Sequence, residues 1–220
     1  MTEQLMEPRI IPSQDWATAI FVLAVVLIAI TRTVFEKRFA DFVRLGISDK
    51  YVKVYRDPSH ITGGFTILLF FVQLISLSLF ILLALDKFGY AQKTDWLLFT
   101  MIISLLGTFI LAKFLIDKII AASFNIDEIA EQFNLSKVSY RTYIGLALLP
   151  VNGILFYNDL PEIAYFIIIS ALLTTNLLTY LLALRNYQSI VVEKLFYFIL
   201  YLCALEIGPY YFMYYWFTRN

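Results

Sequence analysis

The chain has 220 residues, 60% of them hydrophobic and only 15% charged, and its 17 basic and 17 acidic side chains cancel. Soluble proteins carry about 45–50% apolar and about 25% charged residues, so this excess cannot be hidden inside a water-soluble globule of one-domain length. Zero net charge argues against a nucleic-acid binder. A single histidine, His60, and a single cysteine, Cys203, leave no internal disulfide and almost no route to a zinc site.

The apolar residues come in blocks of about 20, the length that crosses a ~30 Å hydrocarbon core as helix. Taken in chain order, the blocks predict six spans: residues 16–34, 64–85, 96–116 (continuing as helix to Ser123), 142–157, 163–184 and 195–217. They do not alternate as barrel strands do, and an isolated span in lipid must satisfy its own backbone. The expected fold is therefore all-α, a polytopic helical bundle forming one integral membrane domain over residues 1–220.

Residues 1–15 lack the basic start of a cleaved signal peptide, and Arg32, Lys37 and Arg38 follow the first block, as in a retained reverse anchor. Asp15 and the pair Thr94–Asp95 are candidate helix caps before Trp16 and Trp96. In the first loop, Phe35, Phe39, Phe42 and Val43 share one face of a short helix. Residues 35–63 either lie in the inner headgroup layer, or the first span continues into the cytosol and packs on the neighbouring loop. Residues 126–144 (IDEIAEQFNLSKVSYRTYI) resemble a helix-turn-helix reader, but the second helix would run into the fourth span and leave nothing free to enter a groove. A short amphipathic helix opened by Asn125 and Glu128 is the expectation there. Pro150 and Gly153 predict a kink in the fourth span. Asp159 and Glu162 read as a capping box opening the fifth, which makes spans four and five a tight hairpin.

Sidedness follows from the basic residues. Thirteen of the 17 Lys and Arg fall in loops after spans one, three and five; only Arg9, Lys87, Lys93 and Arg219 fall on the other side. Positive charge stays in the cytoplasm, so both termini are expected outside it.

The most informative residue is Glu206, deep in the sixth span. A carboxylate there costs at least ~2.5–3.5 kcal/mol on insertion scales, so it should face the interior or stay protonated. Counting along each span from its cytoplasmic end puts Gln73, Asn152, Asn176 and Glu206 within roughly 5 Å in height, a polar intramembrane layer flanked by Pro150, Gly153, Gly208 and Pro209. Such a layer is either a proton-linked or substrate site centred on Glu206 or structural glue worth roughly 0.6 kcal/mol per contact. Lys113 and Asp117 read as a snorkelling surface pair, His60 as interfacial, and Tyr210, Tyr211, Tyr214, Tyr215 and Trp216 as an aromatic belt.

Three stretches resemble a known family: YRDPSHITGGFTILLFFVQ before and within span two, the long third span, and the terminal FYFILYLCALEIGPYYFMYY, with Phe196 to Cys203 followed by Glu206 and Pro209. They are similar to a six-span inner-membrane family of Bacteroidota, domain of unknown function 4271. That resemblance implies a Gram-negative cytoplasmic membrane and carries over no chemistry. No nucleophile–base pair, metal cluster or cofactor motif is legible. The expectation is a non-enzymatic multi-pass inner-membrane protein, a subunit or accessory factor of an envelope complex, with the bilayer and either a membrane-protein partner or a second copy of itself as partners. The alternatives are a small proton-coupled transporter using Glu206 and, last, a lipid-acting enzyme.

Overall fold

The computed structural model describes residues 15–46, 51, 54–55, 63–123 and 127–186, with side chains outside 120–121, 123, 127–133 and 180–186. Among the described residues there are six α-helices and no strand. They are α1 (Asp15–Val34), α2 (Glu36–Val43, followed by a 3-10 turn), α3 (Gly64–Lys87), α4 (Trp96–Ser123), α5 (Asp127–Tyr157) and α6 (Glu162–Asn186). Four of them, α1, α3, α4 and α6, are long and apolar enough to cross a membrane. The sixth expected span, residues 195–217, lies outside the described residues.

Local chemistry explains most of the ends. Asp15 opens α1 and Arg32 closes it, each complementing the helix dipole. The Asp95 side chain accepts the Leu98 N–H at 3.1 Å, capping α4 as expected. At the end of α3, Gly89 takes φ +79°. Its N–H donates to Asp86 O at 3.0 Å while Tyr90 N–H donates to Leu85 O at 2.9 Å, a Schellman closure that needs a residue without a β-carbon. Asp159 does not cap α6. It stands 92% exposed with its Oδ1 3.2 Å from Lys93 Nζ, joining two loops, and the helix starts after Pro161.

The region around the fourth span differs from expectation. The predicted short helix and span are one unbroken helix, α5, of 31 residues that runs through Pro150. Pro150 is exposed and removes one backbone donor, which a packed helix tolerates. Phe35 interrupts the run out of α1, with φ −122° and ψ 46°, and α2 then folds onto the bundle. Phe42 is 1% exposed, its ring 5.5 Å from Tyr51, 5.7 Å from Phe65 and 6.0 Å from Tyr143. Val43 is left exposed. The aromatic face of α2 is therefore used in packing on the bundle, and α1 does not run on as one helix past Phe35.

The bundle is organised around α3. In its most apolar stretch 61% of residues are buried, against 17% in α1, 17% in α4 and 6% in α6. Helices α1, α4 and α5 pack on it, and α6 packs on α5. Rings mark two ends. At one, Trp16 lies 5.2 Å from Phe99 and 6.4 Å from Phe156, Trp16 Nε1 donates to Thr94 O at 3.2 Å, and Phe88 lies 5.3 Å from Phe166. At the other, Phe35 lies 5.8 Å from Phe65. Helices α1, α4 and α6 thus begin where α3 and α5 finish. Of the described basic residues, Arg32, Lys37, Arg38, Arg44, Lys113, Lys118, Lys137 and Arg141 gather toward the second end, while Lys87 and Lys93 sit at the first.

Candidate functional site

Two polar features lie inside the bundle. The first joins α3 to α5. Gln73 is 2% exposed, and its Oε1 accepts a hydrogen bond from Thr142 Oγ1 at 3.0 Å. One turn along α3, the Ser76 carbonyl accepts from Asn152 Nδ2 at 2.7 Å, with Ser76 Oγ 3.2 Å from the same nitrogen. Asn152 is fully buried. Asn152 Oδ1 and Ser78 Oγ have no hydrogen-bond partner among the described residues.

Of the four residues expected in the polar layer, the structure brings Gln73 and Asn152 onto the same α3–α5 seam. They sit on successive rungs because Gln73 faces Gly145, and Asn152 is seven residues, about 10 Å, further along α5. Asn176 is half-buried on α6 and donates Nδ2 to Leu172 O of its own helix at 2.8 Å. Glu206 lies outside the described residues. Sequence reasoning missed Thr142 and Ser76, which complete the two rungs.

The second feature is a cavity of about 250 Å³ between α3, α4 and α5, toward the basic end. Its polar lining is Thr66, Lys113, Asp117, Asn134, Lys137 and Arg141, set against an apolar wall that includes Ile67, Phe70, Leu111 and Phe114. The reading of Lys113 and Asp117 as a surface pair is corrected here: they are 8% and 4% exposed. Lys137 Nζ stands 4.0 Å from Asp117 Oδ2, with side chains 9% and 5% exposed. Lys113 and Asp117 are four apart on α4, as are Lys137 and Arg141 on α5, so each helix turns both charges to one face. That repeated spacing was the legible signal. A snorkelling explanation treated each helix singly, whereas α5 continues past the expected span and covers the end of α4.

Next to the cavity, Arg38 binds the loop to the bundle. Its guanidinium lies 4.5 Å from the Phe65 ring centre and 5.2 Å from that of Tyr55, and it donates to Tyr51 Oη at 3.2 Å and Thr66 Oγ1 at 3.3 Å. Burial pushes the Tyr51 phenol above its ordinary value of 10.0, and the neighbouring Arg38 charge opposes that shift. Among the described residues no group of three His, Cys, Asp or Glu could hold a metal.

Residues 17–217 match the model of a protein family described as Domain of unknown function (DUF4271). No curated protein and no solved structure matches the chain. The match spans nearly the whole bundle and coincides with the resemblance carried by the YRDPSHITGGF and terminal LEIGPYYF stretches, so the chain belongs to the DUF4271 family.

Proposed function

We propose that this chain is a non-enzymatic multi-pass protein of the bacterial cytoplasmic membrane, crossing it six times with both termini outside the cytoplasm and acting as a subunit or accessory factor of an envelope assembly. The observation that carries this reading is how the α3–α5 polar groups are used. Gln73 with Thr142, and Asn152 with Ser76, bond across the helix pair rather than converging on open space, as structural contacts do. Apolar faces of α1, α4 and α6 supply the surface for lipid and for a neighbouring membrane protein, with Leu23, Met101, Leu105, Ile167 and Leu173 each more than half exposed. Crowding of basic residues at one end supports the sidedness. The test is in-cell crosslinking followed by purification in mild detergent, with cysteine-accessibility mapping of the termini in a Cys203→Ala background. A defined, stoichiometric complex and externally labelled termini are expected. A chain that purifies alone after crosslinking refutes the subunit role, and labelling of the termini only after the membrane is permeabilised refutes the orientation.

A second reading, a proton-coupled carrier centred on Glu206, is favoured by one observation. Asn152 Oδ1 is buried without a donor among the described residues, and a protonated carboxyl at that height would supply one. Glu206→Gln separates the two: it leaves folding intact in both cases, abolishes activity in a carrier, and is silent if the acid only tethers helices.

A further inference from the structure

We propose that the outward face of α2 is a docking surface for anionic phospholipid headgroups of the bilayer, with Lys37 and Arg44 as its cationic contacts. The inference rests on the membrane placement proposed above and adds a lipid class to it. Helix α1 has 20 residues, a length of about 30 Å at 1.5 Å per residue, which matches the hydrocarbon core. Its last residue, Val34, therefore stands at the boundary of that core, and α2 starts two residues later, after the break at Phe35. Ring contacts give the same depth independently. Phe42 lies against Phe65 and Tyr143, which occupy the first turns of the expected spans 64–85 and 142–157. Held by the end of α1 and by those two rings, α2 has lipid headgroups as its surroundings rather than hydrocarbon or bulk water.

The side of α2 that points away from the bundle carries the free charge. Phe39 and Phe42 pack inward, Arg38 is engaged with Tyr51 and Thr66, and Asp41 accepts from Tyr55. Lys37 and Arg44 are seven residues apart, close to two helical turns, so they share one side, and both are exposed. Ala40 stands between them, so no large side chain separates the two cations. Neither cationic side chain has a hydrogen-bond or ion-pair partner among the described residues. Glu36 is the one fully exposed acid of this helix. Charge complementarity therefore favours an anionic partner. Val34, before the helix, and Val43, beside Arg44, are exposed as well. That mixture favours a lipid surface over an acidic protein: the valines meet the acyl boundary while the long basic side chains reach phosphate oxygens, which accept charge-assisted hydrogen bonds. Basic residues beside a membrane attract anionic lipid for the same electrostatic reason.

The experiment uses the full chain with Cys203→Ala, reconstituted in phosphatidylcholine bilayers and carrying a nitrobenzofurazan label at Val43→Cys. Phosphatidylglycerol or phosphatidylcholine bearing a nitroxide just below the headgroup is added, and quenching of the label gives the preference of this surface for one lipid over the other. Phosphatidylglycerol is expected to be preferred, less so at high salt. Lys37→Gln and Arg44→Gln should each lower the preference about fivefold, the loss of one basic residue at a membrane surface. Lys87→Gln, at the opposite end of α3, should leave it unchanged. A melting midpoint shows that each labelled variant folds, and Ala40→Cys serves as the labelling site if Val43→Cys does not. Equal quenching by the two lipids, or a preference indifferent to both Gln substitutions, overturns the anionic-lipid surface. Absence of quenching by either lipid overturns the headgroup placement and leaves the basic face to a soluble acidic partner. Release of the chain from membranes by alkaline carbonate overturns the membrane reading instead, whatever the quenching result.

Discussion

Gly145 of α5 lies flat against Gln73 of α3: a β-carbon at Gly145 would meet Gln73 Cγ at 2.9 Å, Cα at 3.0 Å and Cβ at 3.1 Å. Two of those atoms belong to the side chain, but the Cα belongs to the backbone of the central helix and cannot turn aside. Small residues at such crossings let helix backbones approach where lipid supplies no hydrophobic drive to hold them together. Gly145→Ala should therefore force α3 and α5 apart and cost about 1–3 kcal/mol, the usual range for overpacking. Gly153, on the same helix, has nothing within 4 Å of its added β-carbon. Gly153→Ala should be neutral or stabilising by up to about 1 kcal/mol through helix propensity. Reversible unfolding in mixed micelles checks both, and a neutral Gly145→Ala would refute the close crossing.

The bond from Thr142 to Gln73 is buried and direct. Thr142→Val keeps the shape and removes the donor, leaving Gln73 Oε1 to find another. The expected loss is roughly 0.6–1.7 kcal/mol, the range measured for polar contacts between membrane helices. A double-mutant cycle with Gln73→Leu should return a coupling of similar size. Additive single effects would show that the two side chains do not act on one another.

Arg38 and Tyr51 together make a pH-dependent prediction. Burial favours the neutral phenol of Tyr51, so its folded pKa exceeds the ordinary 10.0. A raised pKa contributes stability that is fully present below the unfolded value and lost as pH rises through the folded one. The packing of α2 on α3 should therefore weaken as pH climbs past 10.0. Tyr51→Phe removes that alkaline dependence at the expense of the hydrogen bond from Arg38. Arg38→Lys should cost about 1–2 kcal/mol, because a point charge cannot reach Tyr51 and Thr66 while lying over Phe65. Alkaline melting curves of the three proteins test the argument, and identical slopes for wild type and Tyr51→Phe would remove it.

Helix positions were readable because an apolar block long enough to cross a hydrocarbon core can do so only by satisfying its own backbone as helix. The predicted starts at Trp16, Gly64, Trp96 and Ile163 fall within one residue of Asp15, Gly64, Trp96 and Glu162. The extension of the third span to Ser123 is seen as well. Helix α5, which holds the fourth expected span, starts at Asp127 rather than at residue 142. Residues 127–141 are polar enough to read as a separate amphipathic piece, yet α5 is continuous because Leu135, Ser136, Ser139 and Thr142 all find cover within the bundle.

Composition and block length alone determined that the described residues are helical, that four of their helices are long and apolar enough to cross a membrane, and that basic charge is unevenly placed along the chain, since those properties depend on each segment's own sequence. The tertiary structure decided which helix becomes the axis, that Gly145 admits Gln73, and that Lys113, Asp117, Lys137 and Arg141 share one cavity rather than snorkel apart. Those outcomes depend on which faces meet across residues far apart in the chain, and helical periodicity gives a face no address for its partner.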